Sequence, residues 1–126
     1  MRSFMKLMAR ISASASLVVA VGCGGSPPSV DTSTAEATVK GVVKVDGKPA
    51  TEGDISFDPS NYKRPVPVVT APIGKDGSYT IKTMVGENTV KLGGSLTKKY
   101  QILQYNKTSF NVQAGENTFD YDASAK

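Results

Sequence analysis

Few side chains in this sequence are equipped for acid–base or covalent chemistry. Histidine is absent, which removes the commonest general base and the commonest transition-metal ligand. A serine nucleophile would have no imidazole to take its proton. Asp46 and Asp76 each precede a glycine. Asp-Gly is a turn-forming pair, and the dense carboxylate loop of a calcium site is missing. Asp120 and Asp122 lie two apart, on what reads as a solvated strand face and not across the cleft that paired catalytic carboxylates need. No catalytic residue, metal site or cofactor is expected, and the chain reads as a non-enzyme. The remaining candidates for contact are Tyr62, Tyr100 and Tyr105, all in expected loops, where flat rings could stack on a sugar. Lys63-Arg64 and Lys98-Lys99 read most simply as solvated loop charge, with anionic lipid or cell-wall phosphate as the other partner such charge could meet.

One residue does point to covalent chemistry. Cys23 is the sole cysteine of 126 residues, so it has no internal disulfide partner, and a lone cysteine in an exported protein requires a role. It follows a basic start (Arg2, Lys6, Arg10) and an uncharged apolar stretch, Ile11 to Val21. That is the three-part pattern of a secretory signal, and the stretch is too short for a membrane span, which needs about 20 apolar residues. Ala20-Val21-Gly22-Cys23 resembles the lipobox of bacterial lipoproteins, with Ala20 where that pattern usually has leucine. The resemblance implies cleavage between Gly22 and Cys23, acylation of Cys23 and insertion of the acyl chains in a lipid bilayer. One chain alone binds only marginally, whereas two or three hold durably. Gly24 after the cysteine, in place of aspartate, implies the outer membrane, with the protein facing the periplasm or the surface.

The elements that would carry these residues follow. Residues 1–22 read as signal peptide and 23–37 as a flexible tether. The stretch from Gly24 to Ala37, GGSPPSVDTSTAEA, has too little apolar surface to offset its conformational entropy. Removing Arg2, Lys6 and Arg10 leaves 12 basic against 11 acidic residues. The basic stripe of a nucleic-acid binder is therefore not expected.

From Thr38 the apolar residues alternate, the period of half-buried strands. The expected strands are 38–45, with Val39, Val43 and Val45 inward beside Gly41; 54–58, with Ile55 and Phe57 inward; and 66–73, an edge strand because Pro67 and Pro72 cannot donate to a ladder. Then come 78–82, with Tyr79 and Ile81 inward; 88–92, with Val90 and Leu92; 109–113, with Phe110 and Val112; and 117–122, with Phe119 and Tyr121. Asp46-Gly47 and Lys75-Asp76-Gly77 are expected hairpin turns. Tyr100 to Tyr105 admits one helical turn. The fold class is all-β: a seven-strand sandwich over 38–126 behind a disordered N-terminal segment.

Several stretches resemble carboxypeptidase regulatory-like domains: Val39-Lys40-Gly41-Val42-Val43, Asp46-Gly47-Lys48-Pro49, Gly53-Asp54-Ile55-Ser56-Phe57 and Gly74-Lys75-Asp76-Gly77-Ser78-Tyr79-Thr80-Ile81. The closing Lys99-Tyr100, Thr108-Ser109-Phe110 and Gly115-Glu116-Asn117-Thr118-Phe119 are similar to the form found in small bacterial lipoproteins. Gly86-Glu87-Asn88-Thr89-Val90 departs from that pattern, which usually has an aromatic after the glycine. The resemblance implies a transthyretin-like (prealbumin-like, Ig-like) sandwich of a mostly non-catalytic accessory kind. Transthyretin-like hydrolases rely on histidines that this chain lacks. Some related surface domains join a first-strand lysine to a last-strand asparagine. Lys40 or Lys44 with Asn117 is the pairing on offer here, but both lysines sit on the polar face. The expected function is that of a membrane-anchored envelope lipoprotein whose domain serves as a non-catalytic structural or interaction module, contacting another envelope component, such as a protein, through loops or the edge strand. The alternative is a glycan-binding module using the loop tyrosines.

Overall fold

A computed structural model describes residues 30–126. Gly22, Cys23 and the residues that precede Val30 lie outside the described span. Two sheets face each other. In the first, β1 (Glu36–Val45) is central, flanked by β5 (Ser78–Met84) and the short β2 (Lys48–Pro49) along one side and by β8 (Glu116–Thr118) and β9 (Tyr121–Ala123) along the other. The second sheet has the order β4 (Val69–Pro72), β3 (Asp54–Asp58), β6 (Gly86–Gly93), β7 (Lys107–Val112).

The alternation read from the sequence sets the inner faces. Val39, Val43, Ile55, Phe57 and Val90 are fully buried between the sheets, with Tyr79, Ile81, Leu92 and Val112 beside them. Burying apolar side chains of this size contributes about 1.5–3 kcal/mol each. A chain of rings closes one side of the sandwich. Phe119 packs against Phe110 across the two sheets at 4.5 Å between centroids and meets Phe57 and Tyr121 edge-on at 6.3 and 6.1 Å. Among the described residues the core runs from Ala37 to Ala125.

The turns obey their residues. Asp46 and Gly47 both take positive φ, 52° and 83°, the two-residue geometry that suits the twist of the β1–β2 hairpin. The second expected hairpin is corrected. Lys75-Asp76-Gly77 does turn the chain, with Gly74 N–H donating to the Ser78 carbonyl at 2.8 Å, but it carries the chain from β4 in one sheet to β5 in the other.

Strand bounds shift for identifiable reasons. The strand expected at 66–73 is ordered as β4 only from Val69, and it is the edge strand that its prolines require. The strand expected from Asn88 begins at Gly86. Buried Asn88 donates to the carbonyls of Met84 and Gly86 and accepts from Thr83 Oγ1, tying up the turn before it. The last expected strand is divided and runs parallel to β1. At the break the Asp120 carboxylate accepts from Val42 N–H at 2.9 Å, in place of a backbone carbonyl. A Cβ on Gly41 would come 1.8 Å from the Phe119 carbonyl, so only glycine lets the two strands approach there. The stretch 95–107 holds a five-residue helix, α1 (Ser95–Lys99), and a 3-10 turn, Gln101–Tyr105.

Candidate functional site

Strand direction gives the sandwich two ends. At one end, here the base, β6 begins at Gly86 opposite Val112 of β7, and β1 begins at Glu36 opposite Met84. At the other, the apex, β6 ends beside Lys107, and β1 reaches the Asp46-Gly47 turn. The eight residues of β6 separate the ends by about 24 Å.

The base is organised by Arg64, and this corrects the reading of Lys63-Arg64 as solvated charge. Arg64 is 2% exposed. Its Nε donates to the Pro59 carbonyl at 2.9 Å, and one terminal nitrogen donates to the carbonyls of Ser33 and Val85, both at 2.8 Å. The other reaches the Glu87 carbonyl at 3.4 Å. The guanidinium can be buried because its donors are met by acceptors on three separate segments. Asp31 sits beside it. Its carboxylate accepts from Glu87 N–H at 2.6 Å, and its carbonyl accepts from Asn61 Nδ2 at 2.8 Å. A Cβ on Gly86 would lie 2.4 Å from the Asp31 carboxyl carbon, so Gly86 makes room for this contact. Residues 31–35, expected within the flexible tether, are thus fastened to the domain. A pocket of about 110 Å³ beside them is lined by Asp31, Asp58, Ser60, Asn61 and Glu87 among others.

The apex carries α1 and the 3-10 turn, held by buried Leu96 and Leu103. A groove of about 190 Å³ runs between α1 and the β1–β2 hairpin, with Lys48, Pro49, Glu52, Lys99 and Tyr100 on its walls.

The tyrosines singled out from the sequence do not converge. Tyr62 is exposed in the loop at the base, two residues from Arg64, and its ring lies 5.7 Å from the Lys63 ammonium. Tyr100 and Tyr105 are at the apex, Tyr100 half-buried with Lys99 Nζ 5.4 Å over its ring and Tyr105 exposed.

The side chains considered for chemistry are occupied locally. Asp76 accepts from the hydroxyl and N–H of Ser78, and these bonds hold its carboxyl below its usual range. Asp58 accepts hydrogen bonds from the hydroxyl and N–H of Ser60. The Asn117 amide donates to the carbonyls of Gln113 and Thr38 and accepts from Gln113 N–H. Lys40 Nζ faces Glu116 at 3.7 Å. Tyr79 donates its hydroxyl to the Phe119 carbonyl at 2.6 Å. Burial first, then the charge of Asp120, pushes its pKa well above the ordinary tyrosine value, and burial raises that of Tyr121 too. Among the described residues no three Cys, Asp or Glu side chains converge as a metal site would require.

No protein-family model matches the chain, and no curated protein does. Among solved structures it is similar to a DUF3823 family protein from Parabacteroides merdae ATCC 43184, with a TM-score of 0.54 and 14% identity over 69% of this chain and 45% of that one. A DUF3823 family protein from Bacteroides ovatus ATCC 8483 gives 0.51 and 15%, over 70% and 43%. The chain therefore spans less than half the length of these two neighbours. The dioxygenase domain of a dioxygenase and carbohydrate-binding protein fusion from Streptomyces sp. SirexAA-E is 20% identical over 79% of this chain and 83% of that one, at a TM-score of 0.43.

Proposed function

We propose that this β-sandwich belongs to an envelope lipoprotein, cleaved before Cys23, acylated on its sulfur, and held to the outer membrane by it. The domain acts without catalysis, as an interaction module. The observation that carries the anchor is the lone Cys23 directly behind a basic start and an uncharged apolar stretch, and the fastened lead gives the domain its orientation. Residues 23–29 join the lone cysteine to a segment pinned at the base by Arg64, Asn61 and the Glu87 N–H. Seven residues span at most about 25 Å. An anchor at Cys23 would hold the base toward the bilayer and turn the apex away from it. The local occupation of Asp58, Asp76 and Asn117 supports a structural use of these polar groups and not a chemical one.

The test is the intact mass of the native protein. The expected result is loss of residues 1–22 and a gain of two or three acyl chains, abolished by Cys23→Ser together with the protein's partition into detergent. A mature form of unmodified mass overturns the anchor. Turnover of model esters or peptides by the purified domain overturns the non-catalytic assignment.

A further inference from the structure

We infer that the apex is a docking site for an acidic glycan, formed by the 3-10 turn and the lysines beside it. The inference deepens the reading of the domain as an interaction module and does not depend on the anchor.

In a 3-10 helix, side chains three apart eclipse one another and form straight ridges. Over 100–106 this gives three. Tyr100, Leu103 and Asn106 face inward. Leu103 is fully buried, Tyr100 walls the groove, and Asn106 Nδ2 donates to the Ser124 carbonyl. The other two ridges face outward. Ile102 and Tyr105 form one, 47% and 74% exposed. Gln101 and Gln104 form the other, both exposed. An exposed apolar and aromatic pair on a short, firmly seated turn is a presented surface. Leu96 and Leu103 already supply the burial that fixes the turn.

The neighbouring chemistry selects the partner. From Ser95 to Gly115 there is no aspartate or glutamate, while Lys98, Lys99 and Lys107 are all exposed; the carboxylates of Asp46 and Asp54 stand at the same end, on the β1–β2 turn and beside Gly94. The rest of the described chain mixes both signs. Ammonium groups attract carboxylates, and primary amides present donors and acceptors that match neighbouring hydroxyls. A tyrosine ring offers a flat apolar face with a polar tip. An acidic sugar polymer presents carboxylate, hydroxyls and the flat face of a ring together. The groove beside Tyr100 continues the patch, with Lys48 and Lys99 on its walls and Glu52 among its lining. A bilayer fits less well, since two glutamines share the exposed turn with the apolar pair.

The experiment uses residues 24–126, which contain the whole described fold and lack the basic N-terminal start. Its probes are oligogalacturonate, hyaluronan oligosaccharides, soluble muramyl peptides and neutral cello-oligosaccharide, titrated by calorimetry at low and high salt. The expected result is binding of at least one acidic probe, with the neutral one weaker. Tyr105→Ala should weaken it about tenfold. The pair Lys98→Gln with Lys99→Gln should weaken it several-fold and flatten its salt dependence. Tyr62→Ala, at the base, should change nothing. Thermal unfolding of Tyr105→Ala should match the parent, since its ring is exposed. Failure of every acidic probe to bind overturns the site, as does equal affinity for the neutral sugar. It is also overturned if Tyr105→Ala binds as the parent does, or if Tyr62→Ala is as damaging. Binding to phosphatidylglycerol vesicles in place of sugar, lost in Tyr105→Ala, reassigns the patch to lipid and overturns the glycan. None of these results touches the acyl mass, so the anchor stands or falls separately.

Discussion

Arg64 satisfies four carbonyls on three segments of the chain, at Ser33, Pro59, Val85 and Glu87. Replacing it with methionine fills part of the volume and leaves those acceptors without a donor. Buried unsatisfied groups cost roughly 1–3 kcal/mol each, so Arg64→Met should lower the unfolding free energy by about 3 kcal/mol in urea titration. It should also speed proteolysis within 31–35. Arg64→Lys should not restore stability, because one ammonium cannot span acceptors that the fork of the guanidinium reaches. Tyr79 supplies a test of another kind. Its pKa is raised in the fold, so its contribution is complete below the unfolded value near 10 and is lost as pH climbs past it. The urea midpoint should hold steady to about pH 9 and fall above pH 10, with a shallower fall in Tyr79→Phe. Spectrophotometric titration should find Tyr79 and Tyr121 ionising above the ordinary tyrosine value.

At the scale of elements, period-two alternation is legible wherever one face is buried. The β3 strand was expected at 54–58 and is found there, and the inward residues of β1, β5 and β6 are those the alternation names. What cannot be read is which strands become neighbours. The parallel run of β8 and β9 beside β1 joins residues 78 apart in sequence, and no local pattern encodes such a pairing. Gly41 carries its only trace. A glycine in the middle of a valine-rich strand signals close backbone approach, and here the approaching group is the Phe119 carbonyl. Gly41→Ala should therefore destabilise by about 2 kcal/mol or more through overpacking, with hydrogen exchange rising first in β8 and β9. Gly93→Ala, where a Cβ meets nothing within 4 Å, should change stability little. Arg64 was illegible for a related reason. Its partners come from backbone, which every residue has, so nothing in the sequence distinguishes a buried arginine of this kind from a solvated one. The scattered tyrosines show the same limit, because nothing in the sequence says that their loops belong to opposite ends.

For the whole molecule, one core spans both sheets, which predicts a single cooperative transition for residues 24–126, with coincident loss of secondary structure and of tyrosine environment. Deleting residues through Ala35 leaves the core intact but removes the carbonyl of Ser33 from Arg64 and the carboxylate of Asp31 from the Glu87 N–H. The shortened domain should still fold, with a lower midpoint. An intact midpoint would show that the lead contributes nothing to the fold.

The guanidinium at the base forms no ion pair with any carboxylate among the described residues. Four peptide oxygens receive its hydrogens, and a peptide oxygen has no proton to gain in ordinary acid. Ion-paired clasps loosen as surroundings sour, since one partner goes neutral. This clasp keeps its partners unchanged, so the hold of Arg64 on the Ser33 carbonyl would be as firm in a sour medium as in a neutral one.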